Sequence, residues 1–435
     1  MKTHLRKLWD SLKSSYWFIP LVMMALAVLL WWGTATLDHA LSIRDKKNIA
    51  WLYISDADSM RTLLLTISVA IIGVVGVVFT IIMVPLSIAA TQFGPRLLRN
   101  FLRDTGTQVT LGTFNATFIF CMAVLLQLSN SGKYHLPQIS VNVALLFGLV
   151  SFGVLIYFIN HVAVSLQAPV LVAKVSTELH AAIRHELHDM PDKSLVAKEQ
   201  HKVPDLSAAH SIVPALSTGY LQVRDDADLL NLAIKHNLVI RIAPNPGDFI
   251  VKHSTLIFTW PETDLNNILN HVNSAFITGV QRTLVQDITF GINEMVEVAI
   301  RALSPAINDP FTAMTCLDWI GSALCSLCRK SFGDAEIYDN KGNLRIVKNV
   351  ITFADLANAA FNQIREYGNS STAVTMRLMN TIKIVAHYTV TDEQRNALWH
   401  HAILVERGCH FGLREESDRK MITDNFELVK KLLKI

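Results

Sequence analysis

From Leu63 to Ala90 the chain runs without a single Asp, Glu, Lys or Arg. An α-helix rises 1.5 Å per residue, so a run of this length more than covers the roughly 30 Å of hydrocarbon in a bilayer. The run breaks at Gln92-Phe93-Gly94-Pro95 and opens into a basic turn, Arg96-Leu97-Leu98-Arg99-Asn100-Phe101-Leu102-Arg103-Asp104. A hydrocarbon-length helix that ends in a basic, amphipathic collar is a membrane device rather than a soluble core.

Three more segments reach spanning length: Trp17–Leu37, Val109–Leu128 and Ile139–Gln167. Trp17, Trp31, Trp32 and Trp51 stand where interfacial aromatics are expected. The second and fourth spans are longer than a crossing requires, and tilt absorbs such an excess. Trp17–Leu37 follows a basic N-terminus, yet it is too long for a signal-peptide core and is kept as a span. Lys2, Arg6, Lys7 and Lys13 precede the first span and the three collar arginines follow the second, whereas the third loop holds only Lys133. Arg44, Lys46, Lys47 and Arg61 count against this asymmetry. Four spans put both termini on one side. Five cysteines without regular spacing argue for a reducing compartment there, so that side is expected to be the cytoplasm.

The composition is uneven. Hydrophobic residues make up 51% of the 435 and charged ones only 17%, with most of the charge after Lys174, so a bilayer-embedded half precedes an ordinary globular one. A net charge of +3 is too small to argue for nucleic acid. Val172, Val175, Leu179 and Ile183 continue a helical pattern out of the fourth span, with Pro169 as a point of kinking. A proline-punctuated linker follows, from Asp189 to Ser217. Gly219–Val223, Leu238–Ala243, Phe249–Lys252 and Thr255–Trp260 then read as strands, with a helix after Asp225 or Asp226 and a turn at Pro244-Asn245-Pro246-Gly247. The remainder reads as mostly helical. The expected fold is a mainly α membrane protein: a four-helix transmembrane domain over 1–167, an extension and linker over 168–217, and a cytoplasmic α+β domain. That domain divides into a β-rich module over 218–262 and a helical part over 263–435.

Several residues are candidates for function. Arg96, Arg99 and Arg103 share one helix face. They either meet anionic headgroups or form a guanidinium ring at the mouth of an oligomeric anion pathway. Gly73 and Gly76 permit close helix approach, and Pro85 bends the second span, either for packing or as a gate. Polar residues within the spans are few, and none is a carboxylate, which weighs against a proton- or sodium-coupled carrier. His161 lies near the cytoplasmic end, where hydration or a proton relay are the two readings.

Over Arg282–Pro310, Leu284, Ile288, Ile292, Met295, Ala299 and Leu303 fill one helical sector. Arg282, Gln286, Asp287, Glu294, Glu297 and Arg301 fill the opposite one. Asn308-Asp309-Pro310 offers a cap and a first-turn proline for the next helix. This is either a solvated helix face or a polar cluster of Arg282, Asp287, Glu294, Arg301, Asn308 and Asp309. Cys325-x-x-Cys328 and His185-Glu186-Leu187-His188 are weak metal spacings. No phosphate loop, dinucleotide fingerprint or serine elbow is present in the sequence, so no enzyme, cofactor or metal is expected.

The collar with its flanks, Ala90-Thr91-Gln92-Phe93-Gly94-Pro95-Arg96 through Asp104, resembles the signature of a bacterial membrane-protein family known as domain of unknown function 2254. So do Gln108-Val109-Thr110-Leu111-Gly112-Thr113-Phe114, Gly279-Val280-Gln281-Arg282-Thr283 with Gln286-Asp287, and Arg301-Ala302-Leu303-Ser304-Pro305-Ala306-Ile307-Asn308-Asp309-Pro310. Ala306 stands where the family pattern is expected to have glycine. The resemblance covers nearly the whole chain. It implies a bacterial inner-membrane protein and assigns no activity, ligand or catalytic residue.

The leading expectation is a homo-oligomer that conducts an ion or small solute across the bilayer under control of its cytoplasmic half. The alternative is a non-conducting sensor or scaffold whose soluble half binds a ligand or partner.

Overall fold

The computed structural model describes residues 17–41, 56–93, 104–130, 136–165, 167–190 and 210–434. The chain divides into two compact units, Met1–Val170 and Leu171–Ile435.

Among the described residues the first unit has four long helices: α1 (Phe18–Leu41), α2 (Ala57–Phe93), α3 (Thr105–Asn130) and α4 (Gln138–Ser165). Each is long and apolar enough to cross a membrane. α3 touches the other three, and 44% of its most apolar stretch is buried, against 17% and 22% for the rest. Its composition accounts for that position, because Thr107, Gln108, Thr110 and Thr117 all turn inward. Val69 and Phe79 on α2 and Leu149 and Phe152 on α4 face outward, an apolar exterior suited to hydrocarbon. Phe114, Phe120 and Phe158 fill the interior.

Apolar burial gives little drive for helix association inside lipid, so polar contacts take on more of the specification. One set gathers where α1 ends and α4 begins. α1 continues past the expected end at Leu37 and takes in Asp38, which is only 9% exposed. The Asp38 carboxylate accepts hydrogen bonds from Ile139 N at 2.8 Å, Ser140 N at 3.1 Å and Ser140 Oγ at 2.6 Å. It thereby caps the α4 N-terminus, whose first N–H groups have no partner within their own helix. The expectation that no span holds a carboxylate is corrected here: Asp38 near the end of α1 and Asp58 in the first turn of α2 both fall within spanning stretches, and α4 satisfies Asp38. Trp31 Nε1 donates to Gln127 Oε1 at 3.1 Å nearby, and Thr117 and Ser151 hydroxyls meet at 2.9 Å deeper in the bundle.

The opposite end has its own contact. Asp104 caps α3 through Thr107 N at 3.0 Å, and its Oδ2 lies 2.6 Å from His161 Nε2. Gly106 makes room for this pair, because a β-carbon there would lie 2.6 Å from His161 Nε2. His161 is therefore in contact with Asp104 rather than simply hydrated.

The expected single helix out of the fourth span is two helices. α4 stops at Ser165 and α5 (Ala168–Glu186) begins afresh, with Pro169 in its first turn, where proline is tolerated. The inward residues of α5 are Leu171, Val172, Val175, Leu179 and Ile183, the stripe its periodicity predicts.

In the second unit a five-stranded sheet has the order β2-β6-β4-β10-β9, from β2 (Ser211–Pro214), β4 (Val239–Ile242), β6 (Thr255–Trp260), β9 (Glu336–Tyr338) and β10 (Leu344–Val347). Among the described residues only β10 and β4 pair in parallel. A three-stranded antiparallel sheet joins β5 (Phe249–Ile250), β3 (Gly219–Arg224) and β7 (Phe276–Gly279). A third pairing links β1 (His188–Asp189) to β8 (Lys330–Ser331). Helix α6 (Asp226–His236), capped by Asp225, lays Leu229, Leu232 and Ala233 into a core with Ile240, Ile257 and Ile346. The short helix α7 (Leu269–Ala275) adds Val272 and Ala275. The pairings thus draw four strands, β7, β8, β9 and β10, from beyond residue 262, a region expected to be mostly helical.

Six helices complete the unit: α8 (Ile288–Ala302), α9 (Pro310–Leu327), α10 (Phe353–Gly368), α11 (Thr372–Ala386), α12 (Asp392–Gly412) and α13 (Glu416–Leu433). Side-chain caps start five of them, at Asp287, Asp309, Thr352, Ser371 and Thr391. α8 packs against α9 and α10 and buries Glu294 as well as its apolar sector. The solvated-face reading of α8 does not hold.

Candidate ligand-binding cleft

The six residues of the expected polar cluster separate along the helix into three places. Asp287 at the start of α8 is 1% exposed and accepts from Arg282 Nε at 2.7 Å and from Phe290 N at 3.0 Å. Burial holds its carboxyl above the ordinary value, although Arg282 pulls the other way. Arg282 also lies over the Phe290 ring, 5.6 Å from its centroid.

Arg301 sits fourteen residues on, about 21 Å along the helix axis. It pairs with Glu297 at 3.1 Å. Asn308, in the left-handed region at φ 51°, leads into Asp309, which caps α9 through Thr312 N at 3.1 Å. Glu294 is buried in the middle of α8. Arg282 and Asp287 therefore form one site, and Arg301, Asn308 and Asp309 lie at the far end of the helix.

Arg96, Arg99 and Arg103 lie outside the described residues. Pro85 falls within α2.

Close to the Arg282–Asp287 pair in sequence, Gln286 reaches across to β3. Its Oε1 accepts from Arg224 N at 2.8 Å and its Nε2 donates to Arg224 O at 3.2 Å, so the side chain pairs with the backbone as another strand would. Gln286 borders a cleft of about 280 Å³. Arg224, 7% exposed, sends Nε to Asp226 Oδ1 at 2.6 Å, Nη2 to Asp226 Oδ2 at 3.3 Å and Nη1 to the Pro244 carbonyl at 2.9 Å. Lys348, one residue past β10, brings Nζ to Asp226 Oδ2 at 2.6 Å. Burial alone would raise the Asp226 carboxyl, but Arg224 and then Lys348 outweigh it and hold the group below its usual range.

The end of α5, the β1–β8 pair and the turn after it contribute Glu186, His188, Ser331 and Gly333 to the lining. Ile288, Ile351 and Leu356 supply apolar surface. Of these residues, sequence reasoning raised Asp226 only as a cap, and Glu186 and His188 only as a metal spacing. It missed Arg224 and Lys348, because their partnership depends on a strand pairing between β4 and β10. Among the described residues no cluster of three His, Cys, Asp or Glu could hold a metal.

A family model described as "Predicted membrane protein (DUF2254)" matches residues 13–383, a range that takes in all four apolar helices and the whole cleft. Uncharacterized proteins of Mycobacterium bovis and Mycobacterium tuberculosis are each 29% identical to the chain over 425 residues, covering 95% of it and 80% of their own length. No solved structure matches the chain.

Proposed function

The chain belongs to the family described as "Predicted membrane protein (DUF2254)", and from that premise we propose that it is a bilayer-embedded sensor whose α+β unit binds a small polar ligand in the Arg224–Asp226–Lys348 cleft. One observation carries this reading: an open cleft of about 280 Å³ is bordered by a buried guanidinium, an ammonium and the carboxylate they share. Ionic groups are costly to desolvate, and their convergence on a cleft points to recognition more than to stability. The three groups engage one another rather than standing as nucleophile and base, so the reading includes no bond-making step. In this reading the α+β unit, both termini and the collar arginines face the cytoplasm.

The test uses the full-length protein in lipid nanodiscs, screened by thermal unfolding against small polar metabolites. A ligand present at 100 times its Kd stabilises the folded state by about 2.7 kcal/mol. A shift that disappears in Lys348→Met supports the reading. A panel without any shift counts against it.

Conduction is the second reading. Phe114, Phe120 and Phe158 fill the interior of the single bundle, so a pathway would form between copies. One observation favours such an assembly: β-carbons at Gly73 and Gly76 would meet nothing within 4 Å, which leaves that face of α2 open to close approach by another helix. Ion flux in proteoliposomes tests it, and flux that persists without any cytoplasmic ligand would displace the sensor reading.

A further inference from the structure

This inference rests on the binding role proposed above and concerns the chemistry of what the cleft holds. On one wall two cations, Arg224 and Lys348, share the single carboxylate of Asp226, which leaves one positive charge in excess. Lys348 spends one of its three ammonium hydrogens on Asp226 at 2.6 Å and keeps two for a ligand. Another part of the lining carries the opposite sign. Glu186 borders the cleft there, and its partner is His185 Nδ1 at 2.7 Å. The His185 side chain is 84% exposed, so solvent screens that pair and leaves Glu186 largely uncompensated.

Charge complementarity then sorts the ligands. A simple monoanion satisfies Lys348 but leaves Glu186 facing it. A polyphosphate adds repulsion from both Glu186 and Asp226. A simple cation meets Glu186 and is repelled by Arg224 and Lys348. A molecule that carries both signs satisfies both parts of the lining, and an apolar portion of it finds Ile288, Ile351 and Leu356. The volume, about 280 Å³, lies at the small end of ligand sites. We propose that the cleft binds a small zwitterion of the amino-acid class, with its carboxylate on Lys348 and its ammonium group toward Glu186.

The experiment measures calorimetric affinities on the full-length protein in nanodiscs. The probes are leucine and glutamine, the matching carboxylic acids lacking the amine, the matching amines lacking the carboxylate, and inorganic phosphate. An amino acid is expected to bind at least roughly tenfold more tightly than either truncated relative, the size of one good charged contact. Lys348→Met is expected to weaken amino-acid binding by a similar factor. Glu186→Gln is expected to abolish the preference for the amino acid over its deaminated relative while leaving carboxylate binding in place. Thermal unfolding of both unliganded variants checks that they fold, and should Lys348→Met fail, Glu186→Gln decides alone.

Equal or tighter binding of the carboxylate, the amine or phosphate overturns the zwitterion and leaves the binding role standing. No binding by any probe overturns both. An amino-acid affinity unchanged in Glu186→Gln overturns the assignment to this cleft.

Discussion

Gly247 and Asp287 are packed so closely that a β-carbon on the glycine would lie 2.3 Å from the carboxylate Oδ2. The glycine also holds φ at +98°, in the region that side chains rarely enter. The turn residue and the capped, buried acid thus fix one another across 40 positions of chain. Gly247→Ala is expected to destabilise the protein by roughly 2–4 kcal/mol, combining backbone strain with displacement of a buried ion pair. Chemical unfolding of the full-length protein in detergent measures it, and a loss within error of zero would mean the turn is free to move.

Asp38 is expected to be the polar residue on which the membrane unit depends most. Asp38→Ala strands two N–H groups at the start of α4 and leaves the Ser140 hydroxyl with only Thr34 as partner, a loss of about 2–3 kcal/mol. Asp38→Asn keeps an oxygen acceptor and is expected to recover more than half of that. Unfolding of both variants in mixed micelles, ranked against wild type, is the check.

These two acids show where the sequence is legible and where it stops. The four spans stand out because hydrocarbon demands long uncharged runs, and the strands at 219–224 and 255–260 because alternation and turn residues bound them. Asp38 is held by a partner, Ser140, that lies 102 residues away; local hydropathy contains no trace of it. The polar sector of α8 is periodic, as expected. Just before it Arg282 pairs with the buried Asp287 and Gln286 bonds β3, neither of which periodicity can distinguish from solvation. Lys348 joins the cleft through a parallel strand pairing that no nearby residue announces.

His401 on α12 is 1% exposed, and its Nδ1 has no hydrogen-bond partner among the described residues. Burial, with His400 and Arg365 adding to it, lowers its pKa from 6.5 to about 4. The folded state therefore keeps the ring neutral where the unfolded chain protonates it. Stability from this source is full above about pH 6.5 and lost as the pH falls toward 4, a fall of roughly 2–3 kcal/mol. His401→Leu is expected to flatten the stability profile between those values. An unchanged slope would show that the ring becomes protonated without unfolding.

Asp226 acts at lower pH. Its folded pKa is depressed below the ordinary 3.8, so its contribution is present above that value and disappears as the pH falls through the folded one. Asp226→Asn is expected to remove that component of acid unfolding and to leave the His401 window untouched. Stability measured from pH 5 downward separates the two.

Cysteine labelling in sealed vesicles addresses the collar. A cysteine at Arg99 and one near Ile435 are expected to react from the same side, since four crossings return the chain to where it began. Labelling from opposite sides would refute the four-span topology and with it the sensor reading.

The parallel pairing of β4 with β10 also has a bearing on synthesis. Ile240 finds Ile346 only after more than a hundred further residues have emerged. A ribosome pausing anywhere between Ile242 and Leu344 leaves β4 with an open flank, available to any exposed strand nearby. Shortened versions of this protein that end inside that interval are therefore poor material for purification, however independent their first strands look on paper.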